Sequence, residues 1–208
     1  MHRKRLLQKH HALTRRVFAS ASLGVFAGLL IPGARVFAST DSRSAAALLD
    51  PRQQILMMRH ADAPGYSDPP EMRLDDCATQ RNLGERGRQQ AAETGHWLRA
   101  QGLQQVQLWS SPWCRCVDTA RLLGFGEPHR KDFLGSFFRD PELASKHTRQ
   151  LTQALQLWFS SAPTGPLILV THQVNLSAYS ARSAASGELF RIRVAATGQA
   201  QQVESLRT

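Results

Sequence analysis

Three cysteines in 208 residues are too few for a disulfide-dense miniprotein. There is no internal repeat, and no run of about 20 predominantly apolar residues of the kind a membrane-spanning helix needs. Charged residues make up 20% of the chain and hydrophobic residues 42%, a globular balance that excludes a disordered chain, collagen and a coiled coil. The absence that matters most is of acid. The first 38 residues hold no Asp or Glu, while Arg3, Lys4, Arg5, Lys9, Arg15, Arg16 and Arg35 lie among them. The remaining residues carry 19 basic and 16 acidic side chains, so the formal charge of +10 falls to +3 beyond that segment. A nucleic-acid reading of the high charge therefore loses its basis. Trp109, Trp113 and Trp158 have no interleaved Lys or Arg and read as packing residues rather than a base-stacking platform.

The basic start is followed by a diluted apolar run, Val17 to Ile31, then Pro32-Gly33, then Val36-Phe37-Ala38 with small residues placed for cleavage before Ser39. Residues 1–38 are thus expected to be an export signal peptide. Thr14-Arg15-Arg16-Val17-Phe18 resembles a twin-arginine signal; a general secretory signal carrying an Arg pair is the alternative. Either export machinery would deliver a periplasmic or otherwise exported protein with no stable membrane insertion after cleavage near Ala38. Residues 39–53, rich in Ser and Ala, read as a loose lead-in, and 54–208 as a single domain.

Within that domain, Gln54–Met58, Val106–Trp109 and Pro166–Thr171 are short apolar runs expected as buried strands. Asn82 is expected to cap a helix over 83–100 ended by Gly102. Pro112 opens a second helix closed by Gly124, and Asp140-Pro141-Glu142 opens a third, with Leu143, His147, Leu151, Leu155 and Trp158 along one face. Glu188–Ala195 and Gln201–Leu206 read as late strands joined at Thr197-Gly198. Strands alternating with helices predict an α/β fold: a three-layer sandwich with a mostly parallel central sheet flanked by helices, and an antiparallel edge hairpin near the C-terminus.

In such a sheet, ligands bind beyond the carboxyl ends of the strands. The first strand ends in Arg59-His60, the second in Ser110-Ser111-Pro112 with Arg115 a turn later, and the third in Thr171-His172. Planar guanidinium groups suit a phosphate dianion. A His among cations stays neutral and nucleophilic. Attack by its ring nitrogen on phosphorus would give a phosphohistidine that water then hydrolyses, with no metal or other cofactor required.

Here the chain resembles the histidine phosphatase superfamily, which includes phosphoglycerate mutases and acid phosphatases. Leu56-Met57-Met58-Arg59-His60, Leu83-x3-Gly87-x2-Gln90-Ala91, Ser110-Ser111-Pro112-x2-Arg115-x3-Thr119-Ala120 and Leu169-Val170-Thr171-His172 match its motifs in order. The resemblance makes His60 the nucleophile, with Arg59, Arg115 and His172 holding phosphate and His172 sharing in catalysis. Asn175 is a further candidate to face the site. Ala61 and Gln173 stand where the family commonly has Gly. In this the chain is similar to small divergent bacterial members, the protein phosphohistidine phosphatases and those acting on lipopolysaccharide heptose phosphate. Asp140 and Glu142 fall in the window where many members carry the proton donor, although an N-cap and a first-turn acid explain them as well. Asp62, Asp68, Asp75 and Asp76 are further candidates. His147 on its apolar stripe reads as core or partly exposed, and His96 and His129 show no partners.

On a helix, residues 114 and 116 point about 200° apart. Cys77 can therefore pair with Cys114 or with Cys116, not both, leaving one thiol free. The expected function is an exported phosphomonoesterase acting on a sugar phosphate or other small phosphorylated substrate through phospho-His60. The alternatives are a protein phosphohistidine phosphatase and a non-catalytic phosphoglycan-binding domain on a phosphatase scaffold.

Overall fold

The computed structural model describes residues 48–206. The expected signal peptide over 1–38, and the lead-in as far as residue 47, lie outside them. Six strands form one sheet: β1 Gln54–Arg59, β2 Gln107–Ser110, β3 His129–Arg130, β4 Leu167–Thr171, β5 Leu189–Val194 and β6 Ala200–Leu206. Their spatial order is β3-β2-β4-β1-β5-β6. The pairs from β3 through β1 are parallel, and β5 and β6 join antiparallel at the C-terminal side. The edge strand β3 has only two residues, both exposed, and carried no apolar signature in sequence.

The helices are α1 Glu85–Ala100, α2 Cys114–Leu122, α3 Ala144–Ser160 and α4 Gln173–Ser180. The central strands bury both faces, as their continuous apolar runs require. Ile55 and Met57 of β1 join Leu167 and Leu169 of β4 in one cluster with Leu151 and Leu155 of α3 and Leu176 and Tyr179 of α4. Leu56 and Met58 join Ile168 and Val170 in the other, against Leu98 of α1 and Cys116 and Ala120 of α2. The period of two along each strand thus divides the core into two sheets of contact and yields three layers. Leu48 and Leu49, in the stretch read as a loose lead-in, pack into the second cluster because two adjacent leucines have apolar area to bury.

Helix starts depart from expectation. The α1 N-cap is Gly84, not Asn82, whose Nδ2 instead donates to the carbonyls of Cys77 and Gln80. Asp140 makes no capping bond either: Pro141–Leu143 is a 3-10 turn, and α3 begins only after it. Gly124 does end the α2 region, with φ +76°. A Cβ there would press on the Arg99 guanidinium, which donates to the Leu123 carbonyl.

Candidate active site

The parallel register lines up the three strand ends. Arg59 sits opposite Thr171, and Ser110 opposite Val170. The next residues, His60, Ser111 and His172, therefore leave the sheet on one edge. His60 N–H donates to the Thr171 carbonyl (2.8 Å), and Ser111 N–H to the Val170 carbonyl (2.9 Å). The His60 and His172 rings meet at 5.4 Å between centroids, inclined by 68°.

The motif residues around them act as scaffold. Thr119 Oγ1 accepts from Ala61 N–H (3.0 Å). Gln90 accepts from Asp62 N–H (3.0 Å) and donates to the Ser186 carbonyl (2.8 Å). Gly87 lies so close to this segment that a Cβ would stand 1.9 Å from the Asp62 carbonyl oxygen. Helix α1 can approach the exit of β1 only because residue 87 has no side chain. The chain after His60 is fixed on two sides, and the imidazole with it.

His60 Nδ1 lies 2.8 Å from the Ala61 carbonyl, which accepts its proton and leaves Nε2 with a free lone pair. Burial, then the Arg115 guanidinium, push the His60 pKa down to about 3, so the ring is neutral over the physiological range. His172 is held well below its ordinary value by the same causes. Its Nε2 meets Ser111 Oγ at 2.8 Å, and its ring stands edge-on to Trp113 at 5.3 Å.

Arg115 is 3% exposed, and its Nη1 pairs with Asp68 Oδ1 at 2.7 Å. Asp68 also accepts from Arg81 N–H (3.0 Å) and from the Trp113 indole (3.3 Å). Arg59 Nη1 donates to the Ala184 carbonyl at 2.9 Å. A third guanidinium joins these two. Arg81 is anchored on the carbonyls of Ala63 and Gly65 and lines the same cavity as Arg59, His60, Arg115 and His172. The buried Nε atoms of Arg59, Arg81 and Arg115 have no hydrogen-bond partner within the protein. A buried donor left in that state costs roughly 1–3 kcal/mol. Three guanidinium groups with such donors line the cavity of one histidine pair, an arrangement that suits an oxyanion. Arg81 was not among the sequence-derived candidates. Its position two residues before Leu83 of the second motif was the available signal.

The carboxylate candidates separate. Asp68 lies in the cavity; burial works against its ionisation, but the hydrogen bond and charge of Arg115, with the Arg81 N–H and the Trp113 indole, together hold its carboxyl below the usual range. Asp140 is exposed and lines the cavity, as does Asp132. Glu142 and Asp62, Asp75 and Asp76 do not line it. Asn175 does not face the site: it is buried, and its Nδ2 donates to the Gly135 carbonyl at 2.9 Å. His147, read as core or partly exposed, is half-buried and belongs to the cavity wall with Leu143. Cys77 pairs with Cys114 in a disulfide that ties the 61–83 loop to the first residue of α2, one position before Arg115. Cys116 is the free thiol, buried and with its pKa pushed up to about 12 by desolvation. Among the described residues no cluster of three His, Cys, Asp or Glu side chains could hold a metal ion, and no helix is long and apolar enough to cross a membrane.

An α/β sandwich with a cation-lined cavity beyond its parallel strand ends has the build of a phosphate-handling enzyme. Comparison with known proteins gives the class. The sequence model of the histidine phosphatase superfamily (branch 1) matches residues 55–135. No curated protein matches in sequence. Among solved structures, the protein histidine phosphatase SixA complexed with tungstate aligns with a TM-score of 0.55 at 15% identity, over 74% of this chain and 96% of that one. A phosphoserine phosphatase from Entamoeba histolytica aligns with 0.53 at 12%, over 74% and 97%. A mycobacterial glucosyl-3-phosphoglycerate phosphatase aligns with 0.51 at 16%, over 74% and 96%. At these identities the structural likeness speaks to the fold. Residues 55–135 of the chain carry the histidine phosphatase superfamily domain.

Proposed function

We propose that this phosphatase is an exported phosphomonoesterase that works through phospho-His60. The observation that carries the reading is the His60 imidazole, neutral and with Nε2 free, set among three guanidinium groups whose buried Nε atoms lack partners. A phosphoryl group would take hydrogen bonds from Arg59, Arg81 and Arg115, with the His172 ring beside it in the same phosphate pocket. His60 Nε2 attacks phosphorus as the ester P–O bond breaks, and the leaving oxygen takes a proton from Asp140. The Nε2-phosphorylated ring keeps its Nδ1 proton, held by the Ala61 carbonyl. Water, deprotonated by the Asp140 carboxylate, attacks phosphorus in the second step. The P–N bond breaks, inorganic phosphate leaves and His60 is restored. Asp140 fits the donor role better than Asp68, whose carboxylate is committed to Arg115, and better than Glu142, which does not line the cavity.

Export is supported by the basic, acid-free leader and by the Cys77–Cys114 disulfide, a bond of oxidising compartments. Within the exported phosphomonoesters, sugar phosphates were the expectation from sequence. The exposed Tyr66, Phe138 and Leu74 side chains at the cavity rim favour another class.

Incubation of the purified protein with a small aryl phosphate tests the mechanism. Turnover and acid-labile phosphate on the protein are expected, and His60→Ala is expected to abolish both. Wild-type turnover in that variant would remove His60 from the nucleophile role.

A further inference from the structure

Four large hydrophobic side chains stand exposed among the described residues: Tyr66 (84%), Leu157 (70%), Phe138 (45%) and Leu74 (43%). Three of them, Tyr66, Phe138 and Leu74, lie around the cavity that ends on His60. Tyr66 belongs to the loop after β1, and Phe138 to the segment before α3. Their rings nevertheless meet edge-to-face at 5.4 Å with an interplanar angle of 82°. Met72, Leu143 and Val174 line the same cavity. Its volume is about 880 Å³, far more than one phosphoryl group fills.

Several polar groups of this outer chamber are already engaged within the protein, while Asp132 and Asp140 stand at its rim with no side-chain hydrogen bond among the described residues. Arg139 Nη1 donates to the Pro69 carbonyl (3.3 Å). Gln173 Nε2 donates to Ser177 and Ser183 Oγ (each 3.2 Å), and Ser136 Oγ accepts from Phe138 N–H (3.3 Å). A sugar ring would bring several hydroxyls that need partners of their own, and each hydroxyl left unpaired on burial opposes binding. An apolar group asks for none. It would instead remove Tyr66, Phe138 and Leu74 from water.

We propose that the outer chamber binds an apolar leaving group, so that the substrates are phosphomonoesters of aromatic or alkyl alcohols rather than of sugars. The proposal rests on the phosphomonoesterase reading above. The floor and the wall divide the work: guanidinium groups hold the phosphoryl end, and the Tyr66–Phe138 pair with Leu74 receives the carbon end. Tyr66 and Phe138 are thereby specificity-determining residues.

Phosphonates, whose C–P bond the enzyme does not hydrolyse, separate the two readings by binding alone. Titration calorimetry of the wild-type protein would compare methylphosphonate, hexylphosphonate, benzylphosphonate and a hexose phosphonate. Hexyl- or benzylphosphonate is expected to bind about 10-fold or more tightly than methylphosphonate, because several carbons leave water. The two arms also tell whether the chamber prefers an alkyl or an aryl group. Replacement of both Tyr66 and Phe138 by Ser, at exposed positions, is expected to bring the ratio within about 3-fold. Equal affinities for the methyl and apolar ligands in the wild type, or tighter binding of the hexose phosphonate, would overturn the apolar subsite and leave the phosphate site standing. Failure of all four ligands to bind would sink the phosphate site and the subsite with it.

Discussion

Ser111 Oγ lies 2.8 Å from His172 Nε2, and the same hydroxyl accepts the N–H of Trp113 at 3.3 Å. Arg115 Nη2, which can only donate, is directed at His172 Nδ1 from 3.4 Å. Nδ1 is therefore the accepting nitrogen, and the neutral His172 ring carries its proton on Nε2 and donates it to Ser111 Oγ, whose second lone pair is still open. Ser111 is a positioning residue for the His172 tautomer. Ser111→Ala is expected to lower kcat/KM about 10-fold, the worth of one such bond. Nitrogen-15 NMR of the imidazoles should show His172 moving from the Nε2–H form to a mixture. An unchanged tautomer with lowered activity would refute the assignment.

Asp140 stands free at the rim while Asp68 is paired. If Asp140 gives the leaving group its proton, its removal should matter in proportion to the basicity of that group. Asp140→Asn is expected to slow turnover of an alkyl phosphate by about 100-fold. A nitrophenyl phosphate, whose leaving oxygen hardly needs a proton, should slow by less than about 5-fold. Equal losses on both substrates would assign the donor elsewhere, with Asp132 the next carboxylate at the cavity.

His60 and His172 both lie buried and neutral, with Arg115 beside them. In the unfolded chain each takes up a proton near pH 6.5. Below that value the unfolded state binds more protons than the folded state, so stability falls as pH falls, down to about 3 for His60. Thermal melting between about pH 7 and 5, above the carboxylate range, should show Tm decreasing with acidity. In His60→Gln the decrease should be shallower. A Tm that stays flat over that interval in the wild type would contradict the buried, neutral state of the pair.

The Cys77–Cys114 bond closes a loop with a sequence separation of 37 residues. Its loss releases chain entropy in the unfolded state and is expected to cost roughly 2–4 kcal/mol. That corresponds to a fall in Tm on the order of 5–10 °C. Replacing Cys77 and Cys114 by Ser, or reducing the protein, should give similar shifts. Thiol labelling should find one reactive group, Cys116, and only after denaturation, since it is buried and its thiol resists ionisation. Three thiols labelled in the denatured, non-reduced protein would exclude the bond.

What could be read beforehand follows the range of the interaction. β1 and β4 announce themselves because strands buried on both faces are apolar at every position. Arg59, His60, Arg115 and His172 follow from their places at strand ends, since a parallel sheet brings those ends together whatever lies between. The start of α1 was misread at Asn82, because a side chain that can cap a helix can equally hold a loop carbonyl. Asn175 looked like a site residue at one turn from His172, yet that position turns towards Gly135 and the core. Arg81 and the wall made by Tyr66 and Phe138 depend on how the 61–83 loop folds back over the strand ends. That path is set by Asp68, Arg115 and the disulfide, contacts between residues distant in sequence.

The central pairing of β1 with β4 joins Leu56 to Ile168, positions far apart in the chain. Every contact between His60 and His172 waits on that pairing, whose closing entropy has to be met before any local gain returns it. A growing polypeptide thus carries His60 long before it carries the cavity around it. The histidine pair comes together only when the last parallel strand, β4, has slipped between β1 and β2.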